Sequence, residues 1–215
     1  MDIRTREVVR YLGYKNHAVD ERTLELIQSC FKELEQVSSV KYIYRIFEIS
    51  QINTNELIIG NCKIQSKNLC KNLQGCHRAI FLCATLGTGV DRLIKKYSVT
   101  NIAKASVHQA CATVILEEYC DEIQKEISEK IDKMENLRPR FSPGYGDFSI
   151  MYQKELLKIM DASKKIGLSM TEGYMLTPTK SITAVLGISF EKTECHINGC
   201  ELCLKKDCSY RRSEN

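Results

Sequence analysis

Two stretches of the chain hold side chains grouped for chemistry. The first, Leu137–Asp147, reads LRPRFSPGYGD and offers two guanidiniums (Arg138, Arg140), a phenol (Tyr145) and a carboxylate (Asp147). Two of the chain's three prolines, Pro139 and Pro143, stand among them with Gly144 and Gly146. Proline fixes φ and lacks an N–H, glycine reaches angles closed to other residues, and each proline pushes Arg138 or Ser142 toward extended geometry. The segment is a stiff, non-helical strap whose free amides need partners. Such a strap suits the holding of a small anionic ligand; a tight connection between helices would read the same way. The second stretch is the end of the chain, C-x4-C-x2-C-x4-C: Cys195, Cys200, Cys203 and Cys208. Four thiols within fourteen positions, with too few apolar residues to build a core, are a metal-site pattern. The first three copy the spacing of a plant-type ferredoxin, while all-thiolate coordination also suits structural zinc. Both an iron–sulfur cluster and zinc therefore remain open, with His196 as a weaker fifth ligand.

The strap also carries a resemblance. Arg140-Phe141-Ser142-Pro143-Gly144-Tyr145 is R-x-x-P-G-Y, similar to the S-adenosylmethionine-binding motif of the activation domain of cobalamin-dependent methionine synthase. EVVRYLGY near the start, FLCATLGTGVDRL in the middle, PRFSPGYGDF and MLTPTKSITAVLG follow in the family's order. The match runs from about Ile3 to Ile188 and resembles the short, free-standing members, the activation subunits. The resemblance implies S-adenosylmethionine as ligand. Arg140 would pair its carboxylate, the strap amides around Ser142 and Gly144 would bond its polar groups, and Pro143 would belong to the same binding segment. Tyr145 would pack on strap or ligand. Glu117, with Glu118 as the alternative, would face the amino-sulfonium part. A tyrosine that fused relatives carry beyond the last strand has no counterpart here, where Glu194 and Cys195 fall.

The resemblance further implies a role in reactivation: reductive methylation of cob(II)alamin on a methionine synthase that lacks its own activation domain. A flavodoxin or ferredoxin would supply the electron. No D-x-H-x-x-G cobalamin signature is present, so the cobalamin would be held by the partner. The rival readings are a stand-alone methyltransferase and a metal-tailed binding or redox-docking protein. Neither the strap nor the tail is a complete enzyme on its own, and no catalytic residue is assigned.

Composition agrees with a single domain plus an appendage, here residues 1–190 and 191–215. At 43% hydrophobic and 27% charged, 215 residues suffice for a real core. A formal charge of +4, spread along the chain, gives no concentrated basic face for nucleic acid. No apolar run approaches a membrane span, and eleven cysteines in odd number without a signal-like start lead us to expect reduced thiols in the cytoplasm.

The elements that must position the strap follow from periodicity. Helices are expected at Thr5–Leu12, from Asp20 to about Val37, at Ser66–Leu73 and Val90–Tyr97. One long helix should cover Asn101–Met134, with Val107, Cys111, Val114, Tyr119, Ile123 and Ile127 on its apolar face. Strands are expected at Val40–Ile49, Glu56–Gly60 and Asn61–Ile64, and at the nearly continuous apolar run Arg78–Thr85. Leu86-Gly-Thr-Gly-Val reads as a structural turn ahead of an anion cradle, and His108 as a core or surface histidine. After the strap, Ser149–Ile166 should be helical, and Thr171–Thr177 and Ser181–Phe190 strands. In the last, Ile182, Ala184, Leu186 and Ile188 form a core face opposite a face of small residues. The sum is an α+β fold, an antiparallel sheet flanked by long helices.

Overall fold

Asp2 and Asp20 begin the first two helices, their carboxylates accepting the amides of Thr5 (2.8 Å) and Thr23 (2.9 Å). The computed structural model describes residues 1–14 and 19–191, so the four-cysteine tail lies outside the described residues. The helices are α1 (Ile3–Tyr11), α2 (Glu21–Val37), α3 (Lys67–Asn72), α4 (Thr88–Thr100), α5 (Ile102–Lys130), α6 (Tyr152–Met160) and α7 (Ala162–Ile166). The strands are β1 (Lys41–Asn53), β2 (Glu56–Ile59), β3 (Cys62–Gln65), β4 (Arg78–Thr85), β5 (Asn136–Leu137), β6 (Ser169–Met170), β7 (Leu176–Thr177) and β8 (Ser181–Ser189).

Six strands form one antiparallel sheet in the order β3-β2-β1-β4-β8-β5, and β6-β7 is a separate ribbon. Helices α1, α2, α4 and α5 cover one face, where Val8, Ile27, Leu34, Ile80, Leu82, Cys111, Ile123 and Leu186 meet. Helices α3, α6 and α7 and the β2–β3 hairpin cover much of the other, around Leu57, Phe81, Phe148, Leu156, Met160 and Val185. Both faces of β4 are therefore dry, which is why its sequence is apolar throughout rather than alternating. The small face of β8 is closely packed: a Cβ on Gly187 would lie 2.4 Å from Cys76 Sγ and 2.8 Å from Leu73 Cδ2.

Several expectations need correction. The long helix ends at Lys130, not Met134, because Ile131 turns extended and Glu135 folds back to accept the Asp132 amide at 3.1 Å. The buried Glu135 carboxylate is held there by Arg78 and His77 (2.9 Å). Two residues then pair with β8 as the short strand β5, which is too brief to leave a periodic signal in the sequence. The helix expected over Ser149–Ile166 is two helices, broken at Asp161 in left-handed geometry (φ 54°). Only Leu176–Thr177 of the expected Thr171–Thr177 strand is extended; Thr171 and Met175 instead close a tight turn by main-chain hydrogen bonding (2.8 Å). The Leu86–Val90 turn abuts the end of α2: a Cβ on Gly89 would collide with the Val37 carbonyl oxygen.

Candidate functional site

The strap continues β5 along the outer edge of β8. Arg138 donates its amide to Gly187 (2.8 Å), and Phe141 and Val185 exchange two main-chain bonds of 2.9 Å. Leu137 lies opposite Ile188 and Phe141 opposite Val185, so four steps of strap oppose three of β8. The extra residue is a bulge at Pro139, which has no N–H to give a ladder. Its consequence is to send the two arginines apart. Arg138 stays on the Gly187 side and donates to the Gln74 carbonyl (3.1 Å). Arg140 crosses to α5.

On α5, Arg140 meets carboxylates. Its Nη2 is 2.8 Å from Glu117 Oε2 and its Nη1 2.7 Å from Asp121 Oδ1, with Gln124 Oε1 a third acceptor. The guanidinium is largely covered (15% exposed), whereas Glu117 and Asp121 are 41% and 73% exposed. Burial opposes the charge on Arg140, but Asp121 and Glu117 outweigh it and hold the pKa above its ordinary value. Glu118 points elsewhere, to Arg4 Nε at 3.0 Å. The structure thus brings Arg140 and Glu117 together.

Beyond Phe141 the strap leaves the edge. Phe141 and Phe148 are both buried, and their rings lie 6.2 Å apart beneath the loop they bracket. Within it Gly144 donates to Phe148 O (2.7 Å), Tyr145 to Ser142 O (3.2 Å) and Phe148 to Tyr145 O (3.0 Å). Gly144 and Gly146 take φ of 96° and 55°, which explains the glycines. Pro143 is buried, Ser142 half-buried, and the Tyr145 ring is 58% exposed. Asp147 turns away from the loop and anchors it, accepting from Ser66 Oγ (2.5 Å) and the amides of Lys67 (2.7 Å) and Asn68 (3.1 Å) at the start of α3. Burial alone would raise its pKa, but these donors hold it below the ordinary value.

The strap's departure leaves part of β8 without a neighbour. Val185 and Gly187 direct their main-chain groups to the strap, and strand alternation points Thr183 and Ser181 the same way. No strand lies opposite them among the described residues. Alongside, Lys180 Nζ donates to Gln109 O and Thr113 Oγ1 of α5, each at 3.0 Å. Burial lowers the Lys180 pKa, with Asp91 pulling it back. Gln109, Thr113, Glu117 and Asp121 recur every four residues, so Lys180 and Arg140 reach adjoining turns of one polar stripe. From the sequence, Glu117, Glu118, Asp121 and Glu122 read as an acidic cluster, mostly a solvated face, and Gln124 and Lys180 do not stand out; the four-residue polar repeat on an apolar helix is the available signal for Asp121.

His108 and five of the thiols are sequestered in the core. His108 is buried, with Nδ1 2.9 Å from Lys104 O and 3.5 Å from Cys30 Sγ. Burial pushes the thiols of Cys30, Cys62, Cys83, Cys111 and Cys120 up to about 12, so they are protonated and poor nucleophiles. Among the described residues no group of three or more His, Cys, Asp or Glu is placed to hold a metal ion, and no helix is long and apolar enough to cross a membrane. Two surface recesses, along α2 and at the α6–α7 junction, lie away from the strap.

No protein-family model and no curated protein sequence matches the chain. A solved structure does: the MetH reactivation domain bound to AdoHcy, with a TM-score of 0.60 over 88% of this chain and 76% of that one. This chain has the fold of the MetH reactivation domain. At 12% identity the likeness is one of fold, and the antiparallel sheet with its helical layers accounts for it. The roles of Arg140 and Glu117 consequently rest on where this chain puts them.

Proposed function

We propose that this protein binds S-adenosylmethionine at the strap and serves as an activation subunit for a cobalamin-dependent methionine synthase. The carrying observation is the Arg140–Glu117 pair beside an unpaired stretch of β8, in a fold shared with a domain solved with AdoHcy. The ligand's carboxylate takes the Arg140 guanidinium, displacing Asp121, the more exposed of its two carboxylate partners. Glu117 then turns to the ligand's ammonium. Amides around Ser142 and Gly144 bond remaining polar groups, Pro143 stiffens the turn, and the exposed Tyr145 ring packs on the ligand.

The chemistry demands positioning more than bond-making by side chains. A partner's cob(II)alamin takes one electron from a flavodoxin or ferredoxin. The resulting cob(I) takes the methyl group from sulfur, leaving methylcobalamin and AdoHcy. This chain holds the donor and orients its S–CH3 bond. Cys195, Cys200, Cys203 and Cys208 would hold a metal centre, iron–sulfur in preference to zinc; an iron–sulfur centre there would supply low-potential electron transfer. The reduced thiols of this scheme suit the cytoplasm.

Calorimetry with S-adenosylmethionine and AdoHcy tests the reading. Wild-type protein should bind both, and a wild type that binds neither removes the proposal. Mixed with a methionine synthase lacking this domain, plus reductant and S-adenosylmethionine, it should convert the cob(II) absorbance to that of methylcobalamin. Iron and zinc analysis of anaerobically purified protein decides the metal.

A further inference from the structure

The opposite side of the sheet has a second bare edge. In β1, Ile49 donates its amide to His77 O of the β4 side at 3.1 Å, whereas Glu48 O accepts from Gly60 N on the other side at 3.0 Å. Main-chain direction alternates along a strand, so odd residues of β1 serve β4 and even residues face away from it. Strand β2 covers β1 only from Ile49 to Asn53. Tyr42, Tyr44 and Ile46 therefore present their N–H and C=O groups outward, with no strand opposite among the described residues.

Between Lys41 and Glu48 this edge has no proline and no bulge, the register shift of β1 falling beyond it between Gln51 and Asn53; its charges are Lys41, Arg45 and Glu48. Its register with β4 runs unbroken from Lys41↔Thr85 to Glu48↔Arg78. Arg45 is folded back, donating Nη1 to Ile159 O (3.0 Å), and Ile46 is 39% exposed. Six outward main-chain groups in a row form a template for an added strand.

We propose that the added strand is β1 of a second copy, paired antiparallel about a two-fold axis at Tyr44. Outward residues must face outward residues, which leaves few registers. Centring on Tyr44 sets Tyr44 opposite Tyr44, Tyr42 opposite Ile46, Ile43 opposite Arg45 and Lys41 opposite Phe47. A shift of one pairing step in one direction sets Arg45 against Arg45, and in the other Lys41 against Arg45. Like charges directly opposite destabilise a strand pair. The Tyr44-centred register avoids both clashes and is self-complementary, as a two-fold interface requires. It also continues the ladder of one sheet into the other.

Sedimentation velocity on the full-length protein across a range of concentrations should show monomer giving way to dimer. Tyr44→Pro and Ile46→Pro each remove an outward N–H and no bond to β4, so both should remain monomeric with unchanged far-ultraviolet circular dichroism. Amide exchange gives an independent reading should a proline variant fail to fold. The amides of 42, 44 and 46 should be protected at high concentration and exchange fast on dilution, while those of 43, 45 and 47 stay protected. A wild type that is monomeric throughout overturns the proposal. So does a dimer that survives both substitutions, which would use another surface. Protection of 42, 44 and 46 that ignores concentration overturns it too, and assigns the edge to the chain's own remaining residues.

Discussion

Helix α5 carries two polar clusters, and they differ in what surrounds them. Toward its N-terminus His108 lies between the Tyr97 ring, 4.9 Å away, and Cys30, with Glu33 Oε2 3.4 Å from Nε2. Glu33 is held in turn by Lys104 (2.5 Å) and Tyr97 (2.9 Å). Toward the C-terminus Arg140 lies against Glu117 and Asp121, which water reaches. In the first cluster His108 is fully buried with no hydrogen-bond partner for Nε2, and Glu33 is only 27% exposed, so exchange of partners is restricted and the cluster suits stability. The rim cluster can trade a carboxylate for a ligand at smaller cost, which suits it to the binding role proposed above. Residue types are similar in the two; access to water separates them.

The sharpest break in this contrast is His108→Ala. It empties a buried site and leaves Glu33 short of a neighbour, so it should cost about 2–4 kcal/mol of unfolding free energy. Urea titration reads the loss. Binding of S-adenosylmethionine should be unchanged within twofold; a large change would mean that the clusters are coupled.

Arg140→Ala should do the reverse. Losing a charge-assisted contact should cost about 1.5–3 kcal/mol of binding, roughly ten- to a hundredfold in Kd by calorimetry. Stability should fall by less than about 1 kcal/mol, because Glu117 and Asp121 already reach solvent. Unaltered affinity would remove Arg140 from the site.

Sequence alone carried much of the frame and less of this contrast. The apolar run Arg78–Thr85 and the alternation in Ser181–Phe190 named the two central strands, the second ending one residue early at Ser189; both are buried on both faces, and β8 alternates because one of its faces is packed with small residues. Pro139, Pro143, Gly144 and Gly146 marked the strap. What they could not mark was the bulge at Pro139, since a one-residue surplus exists only against the β8 ladder. The same surplus decides that Arg138 and Arg140 diverge. Glu117 stands out through the family resemblance, placed by the apolar register of α5, and the structure sets it beside Arg140; Asp121, 73% exposed, reads as part of a solvated acidic face.

A third, smaller effect is the pH dependence of stability. Burial pulls the His108 pKa below its ordinary value, outweighing the opposing Lys104 carbonyl and Glu33. The folded chain thus prefers the neutral ring, and below about pH 6.5 the unfolded chain binds a proton that the folded one refuses. Stability should be full above that pH and decline as pH falls toward the folded value. His108→Gln should flatten the change in urea midpoint between pH 7 and 5.5, and an equal slope in the variant would reject the assignment.

The smallest expected effect is the most specific to the proposed exchange at Arg140. If the ligand's carboxylate replaces Asp121, then Asp121 competes with it in the free protein. Asp121→Asn weakens the competitor while leaving Glu117 to meet the ligand's ammonium. An exposed ion pair is worth about 0.2–1 kcal/mol, so S-adenosylmethionine affinity should rise about 1.5- to fivefold. The gain should shrink with added salt, because the competing pair is screened where it meets solvent. Glu117→Gln should act in the opposite direction, weakening binding, because it removes a group that the ligand needs. Calorimetry on the two variants in parallel separates the roles. Weaker binding in both would make Asp121 a ligand contact rather than a competitor, and tighter binding in both would leave Glu117 no place in the site.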